Sequence, residues 1–324
     1  MSLTVERRLD PIADRLRVFE ERLEATVAAD LGPMAKAMEH IVKAGGKRLR
    51  PALVLLSSSL GEPEEDHAYA LAMAVEFIHT ATLIHDDLID DAPTRRGLAT
   101  IHAMLGANPA IIVGDYYFAK GANLMASVGM VEIDEVLSRC VMTICMGELL
   151  QLTSKRFFDQ SVDDYYRKIE RKTATLLSAC TYCGGIVGRV GPERAAALER
   201  YGSDLGMAFQ IADDLLDYVA NAEELGKPVG ADLRQGTVTL PLMYARDDHD
   251  LGPQLRRLLE RERLEDADYE EVVRLVRASD AVERAEKKAH EFADRARKHL
   301  TVFPESAARA TLEGLCDYVV ERRV

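Results

Sequence analysis

Two copies of an aspartate motif lie inside apolar stretches that have helical spacing. The aspartates of the first copy, "IHDDLIDD", and of the second, "IADDLLD", are Asp86, Asp87, Asp90, Asp213, Asp214 and Asp217. Residues four apart share one face of an α-helix, so each copy presents two carboxylates together. Buried like charges without a partner cost several kcal/mol per ion. We therefore expect the two helices to face each other across a cation.

Carboxylate oxygens are the ligands that hard divalent cations prefer. Mg²⁺ in particular is usually held by one or two carboxylates together with substrate phosphates and water. The six aspartates thus predict a Mg²⁺ site and a phosphorylated substrate. The alternative is a pair of solvated acidic helix faces, which is the usual meaning of a single copy. Two copies in an apolar context argue against it.

Basic residues that could hold phosphate flank the first motif. "GGKRLRP" supplies Lys47, Arg48 and Arg50, and "TRRG" supplies Arg95 and Arg96. Arginine offers a forked and permanently charged set of donors that suits diphosphate oxygens. His79, on the helix of the first motif, could also donate to a phosphate. The alternative for each basic turn is simple exposure to solvent.

Apolar residues recur at spacings of three and four in nearly every segment, and we find no convincing strand, so the sequence predicts an all-α fold. The predicted helices cover 6–29, 33–44, 48–60, 64–91, 108–127, 131–155, 161–188, 192–219, 236–248, 267–277, 279–300 and 305–322. The turns between them are too short for flexible linkers, which indicates one domain over 1–324. The first 30 residues and the charged stretch 247–268 are predicted to be solvated periphery.

Composition excludes several classes of partner. The formal net charge of -13 argues against a nucleic-acid or anionic membrane surface. No uncharged run reaches the ~18 to 20 apolar residues of a transmembrane helix. The five cysteines come without a secretory signal, so structural disulfides are not expected. We expect a cytoplasmic protein.

Several motifs occur together in one order between Gly45 and Pro241. They are "GGKRLRP", "FIHTATLIHDDLIDDAPTRRG", "VGDYYFAKGANLM", "MGELLQL", "KTATLL", "FQIADDLLD" and "LGKPVGADLRQGTVTLP". In these motifs the chain resembles the trans-isoprenyl diphosphate synthases, also called polyprenyl synthetases. The resemblance implies an isoprenoid synthase-type helical bundle around a central cavity, which is usually a homodimer. It also implies a condensation of isopentenyl diphosphate with an allylic diphosphate.

The resemblance further implies a role for each matching residue. Asp86, Asp90 and Asp213 would bind three Mg²⁺ ions with the allylic diphosphate, supported by Asp87 and Asp217. The residues implied for the allylic diphosphate are Arg95, Lys172 and Lys227. Those implied for isopentenyl diphosphate are Lys47, Arg50, His79 and Arg96. Thr173 and Gln210 would lie beside the allylic cation. Many relatives carry a lysine where Thr237 follows Gly236, so one phosphate contact is in doubt here.

Product length is expected to depend on the helix that precedes the first motif. Ala81 and Thr82 lie about one turn before Asp86, where short-chain relatives commonly carry an aromatic residue, and Ile78 lies at the next level. Both side chains are small here, which predicts products of thirty carbons or more, with twenty carbons as the alternative. A class I terpene cyclase or a regulatory partner subunit would share the fold, but the intact second motif argues against both.

Overall fold

The computed structural model describes residues 9–29, 37, 40, 46–154, 160–219, 230–261 and 264–321. Its α-helices are α1 Ala13–Ala28, α2 Leu49–Ser58, α3 Glu65–Ile89, α4 Ile101–Leu105, α5 Ala107–Val128, α6 Val131–Ser154, α7 Val162–Ile169, α8 Thr175–Val187, α9 Pro192–Val219, α10 Ala231–Arg234, α11 Leu240–Arg246, α12 Gly252–Leu259, α13 Asp266–Ala278, α14 Ala281–His299 and α15 Ala307–Glu321. Short 3₁₀ turns cover Asp10–Ile12 and Leu300–Val302, and a π turn covers Glu170–Ala174. The predicted all-α class is confirmed.

One small β-ribbon interrupts the helices. Strands β1 Thr94–Arg95 and β2 Leu98–Ala99 pair antiparallel directly after the first aspartate motif. Arg96 and Gly97 form the turn between them with φ of 52° and 77°. Two-residue turns with positive φ match the twist of a hairpin. The ribbon was not predicted, because two residues per strand leave no alternating pattern to detect.

Helix α3 lies at the centre of the bundle and packs along α5. The contact is close because glycines of α5 face α3: a Cβ at Gly114 would stand 2.1 Å from His85 Nε2, and one at Gly121 would stand 3.0 Å from Ile78 Cγ1. By length and hydropathy α3 could cross a membrane, but 72% of its most apolar window is buried inside the protein. It therefore has the properties of a central core helix.

The predicted helix 161–188 is divided by the π turn. Helices α7 and α8 continue on either side of it, and the turn packs against α6 and α9. Helix α9 approaches through Gly206, where a Cβ would stand 2.4 Å from the Cα of Ala174. A π turn inserts an extra residue into a helix and is frequent at functional sites. Here it rotates the residues that follow relative to those before.

Two segments predicted to be solvated periphery contribute to the core. Helix α1 buries Phe19 and Leu23, whose spacing of four residues places them on one face. Helix α12, within 247–268, fully buries Leu255. In both segments the mixed charges occupy the opposite face, so charge content alone was a poor guide. The predicted helix 33–44 falls mostly outside the described residues, which include only 37 and 40.

We predict that Gly206→Ala destabilises the protein, although glycine to alanine normally stabilises a helix by up to ~1 kcal/mol. The added Cβ meets the backbone of Ala174, which cannot rotate away. Overpacking of this kind costs about 1 to 3 kcal/mol, to be measured by urea denaturation. Ser203→Ala on the same helix is the control. An unchanged or higher stability of Gly206→Ala would contradict the close approach of α9 to the π turn.

Candidate active site

The first aspartate motif occupies the C-terminal end of α3. Asp86 and Asp87 lie in its last turn, and Asp90 is the C-cap residue. The last carbonyl groups of a helix carry a partial negative charge, so carboxylates are unfavourable at this position unless a cation is present. The local geometry thus creates an electronegative site at the end of an otherwise apolar helix.

Asp86 lies beside Lys172 of the π turn. The Lys172 Nζ atom is 3.9 Å from Asp86 Oδ2 and 2.6 Å from Glu148 Oε1 of α6. Burial raises the pKa of Asp86 to about 6, and Lys172 opposes this rise. Burial alone would lower the pKa of Lys172, but the two carboxylates raise it above the usual value. Lys172 therefore stays charged between them.

Asp87 points to the other side of α3. It is buried, and its Oδ1 atom accepts a hydrogen bond of 2.7 Å from Nε of Arg95. Burial raises the pKa of Asp87, while Arg95 acts in the opposite direction. The β-ribbon that follows the motif carries Arg95 and holds it against the end of the helix. Asp87 thus orients Arg95, one of the residues predicted to bind the allylic diphosphate.

The second motif lies near the C-terminal end of α9, and its aspartates differ in their surroundings. Asp213 is exposed, whereas Asp214 and Asp217 are buried. Asp217 accepts hydrogen bonds from the backbone N–H groups of Ala231 (2.9 Å) and Asp232 (3.1 Å), at the start of α10. Asp217 therefore holds the start of α10 against the end of α9.

Asp214 is held entirely by side chains. Its Oδ1 accepts from Gln210 Nε2 at 2.8 Å and its Oδ2 from the Tyr165 hydroxyl at 2.7 Å. Burial is the main cause that raises the pKa of Asp214 to about 7, and the charge of Asp232 adds to the rise. Lys168 acts in the opposite direction. The metal assignments of all six aspartates, Asp86, Asp87, Asp90, Asp213, Asp214 and Asp217, stay predictions.

The π turn connects the surroundings of the two motifs. Lys172 interacts with Asp86 and Glu148, whereas Lys168, one turn earlier, interacts with Asp214 and Asp232. Burial lowers the pKa of Lys168, and these carboxylates oppose the change. Among the described residues no group of three or more metal-binding side chains is preassembled. Separated carboxylates fit Mg²⁺, which takes phosphate and water oxygens to complete its coordination.

Basic side chains surround His79 in the middle of α3. Burial, followed by the charges of Arg50 and Arg96, lowers the pKa of His79 well below its usual value. His79 is therefore neutral at pH 7 and can donate one N–H without adding charge. A Cβ at Gly46 would stand 3.0 Å from Nη1 of Arg96, so this glycine leaves space for the guanidinium. Burial also lowers the pKa of Arg50, whereas Lys47 is exposed.

Arg48 holds the basic loop in place. Its backbone has a positive φ of 48°, and its guanidinium binds Glu20 at 2.5 Å and Glu76 at 2.7 Å. Glu76 is buried within α3, so this ion pair joins α1, the loop and the central helix. Because two carboxylates neutralise Arg48, the residues beside it, Lys47 and Arg50, are the ones available to a phosphate.

The remaining predicted residues lie beside the second motif, along α3 or outside the described residues. Thr173 Oγ1 donates to Gln210 Oε1 at 2.7 Å, which joins the two residues predicted beside the allylic cation. Lys227 lies outside the described residues. Ala81 and Ile78 are buried, and Thr82 donates to the carbonyl of His79. A cavity beside α3 follows its other face, along Phe77 and Leu83, so the predicted chain-length positions stay untested.

Sequence reasoning missed four residues that complete the site. They are Glu148, Tyr165, Lys168 and Asp232. Glu148 was within reach of prediction, because it lies in "MGELLQL" on an apolar helix, as the aspartates do. Tyr165 and Lys168 lie on α7, directly before the π turn, and the local sequence gives no sign of that turn.

We predict that Asp86→Asn stabilises the metal-free protein in a pH-dependent manner. The folded pKa of about 6 exceeds the unfolded value near 3.9. The contribution of protonated Asp86 to the free energy of unfolding is therefore fully present below pH 4 and is lost as pH rises through 6. Relative to the wild type, Asp86→Asn should gain roughly 2 to 3 kcal/mol above pH 6 and little below pH 4.

Urea denaturation in the presence of EDTA between pH 4 and 8 measures this difference. The control is Asp14→Asn, which removes the charge of a carboxylate on α1 whose side chain is 99% exposed. A stability gain for Asp86→Asn that does not change with pH would contradict the assigned burial of the carboxylate.

Comparisons with known proteins agree with this arrangement. The chain matches the model of the polyprenyl synthetase family over residues 33–276. It is 37% identical to heptaprenyl diphosphate synthase component 2 of Geobacillus stearothermophilus over 318 residues, covering 96% of this chain and 97% of that protein. It is 39% identical to octaprenyl diphosphate synthase of Escherichia coli (strain K12), covering 87% and 88% of the two chains.

Solved structures show the same fold. A polyprenyl synthase from Caulobacter crescentus CB15, complexed with calcium and isoprenyl diphosphate, superposes with a TM-score of 0.92 at 35% identity, covering 100% of this chain and 99% of that one. Geranylgeranyl pyrophosphate synthetase from Pyrococcus horikoshii Ot3 gives a TM-score of 0.90 at 31% identity, covering 98% and 99%. The predicted isoprenoid synthase-type bundle is confirmed, and the chain belongs to the polyprenyl synthetase family of prenyl-transferring enzymes.

Proposed function

We propose that the protein condenses isopentenyl diphosphate with an allylic diphosphate in a Mg²⁺-dependent reaction that releases diphosphate and lengthens the chain by one isoprene unit. The observation that carries this proposal is the arrangement of both aspartate motifs around one π turn, with Lys172 held between Asp86 and Glu148. The relatives named above as heptaprenyl and octaprenyl diphosphate synthases support the same reaction class.

The allylic diphosphate is proposed to bind between the ends of α3 and α9. Three Mg²⁺ ions, held by Asp86, Asp90 and Asp213, would neutralise the charge of the diphosphate as it leaves. Lys172 already lies at this position and can turn from Glu148 to a phosphate oxygen. Arg95, which Asp87 orients, supplies a forked donor to the same group. Lys227 is proposed as a further ligand of this diphosphate.

Isopentenyl diphosphate is proposed to bind at the basic cluster around His79. Lys47, Arg50 and Arg96 supply positive charge, and neutral His79 supplies an N–H donor. The buried Nε atom of Arg50 has no hydrogen-bond partner among the described residues. A buried donor without a partner costs about 1 to 3 kcal/mol, so a bound anion at this guanidinium would be favourable.

The proposed products are polyprenyl diphosphates of thirty carbons or more. Ala81 and Thr82 leave the level below Asp86 free of bulky side chains, as in the sequence-based prediction. The names of the heptaprenyl and octaprenyl relatives favour this range. Geranylgeranyl pyrophosphate synthetase is also a structural neighbour, and a product of twenty carbons is therefore the second candidate.

A second copy of the chain is the proposed partner, in the cytoplasm. Large apolar side chains are exposed along neighbouring faces of α5 and α6, namely Ile111, Ile112, Met142, Met146 and Leu149. Contiguous exposed apolar surface is typical of an interface between proteins. Met142 and Met146 are the members of this surface on the middle of α6, and they are 62% and 54% exposed. The name "component 2" makes a different partner subunit the alternative.

The function is tested by incubating the purified chain with Mg²⁺, isopentenyl diphosphate and an allylic diphosphate, and by identifying products by mass spectrometry. We expect linear polyprenyl diphosphates, no product after EDTA treatment, and turnover lowered by orders of magnitude in Asp213→Asn. Asp14→Asn should be unaffected. Turnover without a divalent cation would contradict the metal assignment. A cyclic hydrocarbon product would instead indicate a cyclase, and activity only with a second protein would indicate a partner subunit.

We predict that Ala81→Phe shortens the product to about fifteen or twenty carbons, because the ring fills the level one turn below Asp86. The requirement for Mg²⁺ should not change. Product lengths are measured by mass spectrometry, with Ala278→Phe, an exposed position of α13, as the control. If Ala81→Phe does not fold, Thr82→Phe tests the same level from a partly buried position. An unaltered product length in a folded variant would rule out Ala81 and Thr82 as the positions that determine product length.

A further inference from the structure

A chain of side-chain hydrogen bonds joins α7, the π turn and α9. The Tyr165 hydroxyl donates to Asp214 Oδ2 at 2.7 Å, Gln210 Nε2 donates to Asp214 Oδ1 at 2.8 Å, and Thr173 Oγ1 donates to Gln210 Oε1 at 2.7 Å. Tyr165, Asp214 and Thr173 are all buried. Buried networks of this kind fix orientation strongly when every member is satisfied.

The direction of these hydrogen bonds follows from the carboxylate. An ionised carboxylate can only accept, so Gln210 must turn its amide nitrogen to Asp214. The amide oxygen of Gln210 then lies on the other side, where Thr173 donates to it. The two ends of an amide have nearly the same shape, and without the carboxylate either end could occupy either position. Asp214 therefore determines which end of Gln210 faces the site.

The π turn allows Tyr165 and Thr173 to reach the same network. On a regular α-helix residues eight apart differ in direction by about 80°, whereas one extra residue in the turn reduces the difference to about 20°. Tyr165 lies before the turn and Thr173 within it. Both side chains consequently face α9, where Gln210 and Asp214 lie one helical turn apart. This relation gives the π turn a functional reason.

We propose that Tyr165 is a positioning residue that holds Asp214, so that Gln210 presents its amide oxygen to the carbon that becomes positive as the allylic diphosphate leaves. The inference rests on the proposed condensation. Oxygen atoms directed at a developing positive charge stabilise it without reorganisation, whereas a reversed amide would direct its N–H groups there. Tyr165 matters because its hydroxyl is the donor that restrains the second carboxylate oxygen.

Tyr165→Phe tests the proposal, because it removes the hydroxyl and retains the ring. In single-turnover reactions we expect the rate constant to fall about tenfold, the equivalent of one hydrogen bond. The KM values for both diphosphates should change less than twofold. The matched control is Tyr166→Phe, since the neighbouring hydroxyl lies 3.4 Å from that of Tyr244 on α11, outside the network. Its rate constant should equal that of the wild type.

A double-mutant cycle separates positioning from a general structural effect. Asparagine at 214 can present either end to Gln210, so Tyr165→Phe should cause no further loss of rate in an Asp214→Asn background. An equal loss in both backgrounds would overturn the proposal, as would a Tyr165→Phe enzyme as fast as the Tyr166→Phe enzyme. A wild type that forms no polyprenyl product would overturn the proposed function, and this inference with it.

Discussion

The arrangement of the site depends on carboxylates placed at the ends of two apolar helices. Burial raises the pKa of Asp86 and of Asp214, which means that the fold holds these groups at a cost to its own stability. Two lysines reduce this cost, Lys172 of the π turn beside Asp86 and Lys168 of α7 beside Asp214. The carboxylates and lysines together therefore give the site groups that can bind both cations and the anions that accompany them.

The packing of neighbouring helices fixes the position of the π turn. Helix α9 can approach the turn at Gly206 because no Cβ intervenes, and α6 brings Glu148 to the opposite side. The turn is thus held between two long helices, and it carries both Lys172, which lies beside Asp86, and Thr173, which donates to Gln210. Displacement of the turn would move Lys172 and Thr173 together, which couples the surroundings of the first aspartate motif to Gln210.

Much of the fold and the aspartate clusters could be predicted because they depend on local periodicity. Helix α3, predicted over 64–91, covers Glu65–Ile89, and α9 has the predicted limits. The π turn could not be predicted, since it results from the packing of α6 and α9 rather than from a local preference. Tyr165 was missed for the same reason. The mixed charges of α1 and α12 hid the fact that each helix has a buried face. About one apolar residue per turn is enough to form such a face.

The two halves of the site have opposite electrostatic character, although each is proposed to bind a diphosphate. At the ends of α3 and α9 the protein supplies carboxylates, so an anion can bind there only together with metal cations. Around His79 it supplies arginines, whose charges add to the effect of burial in lowering the pKa of the histidine. On the proposed assignments, metal ions would gather at one diphosphate and not at the other. Since a metal ion stabilises a leaving group, this asymmetry would account for how one of two similar substrates ionises while the other keeps its diphosphate and acts as the nucleophile.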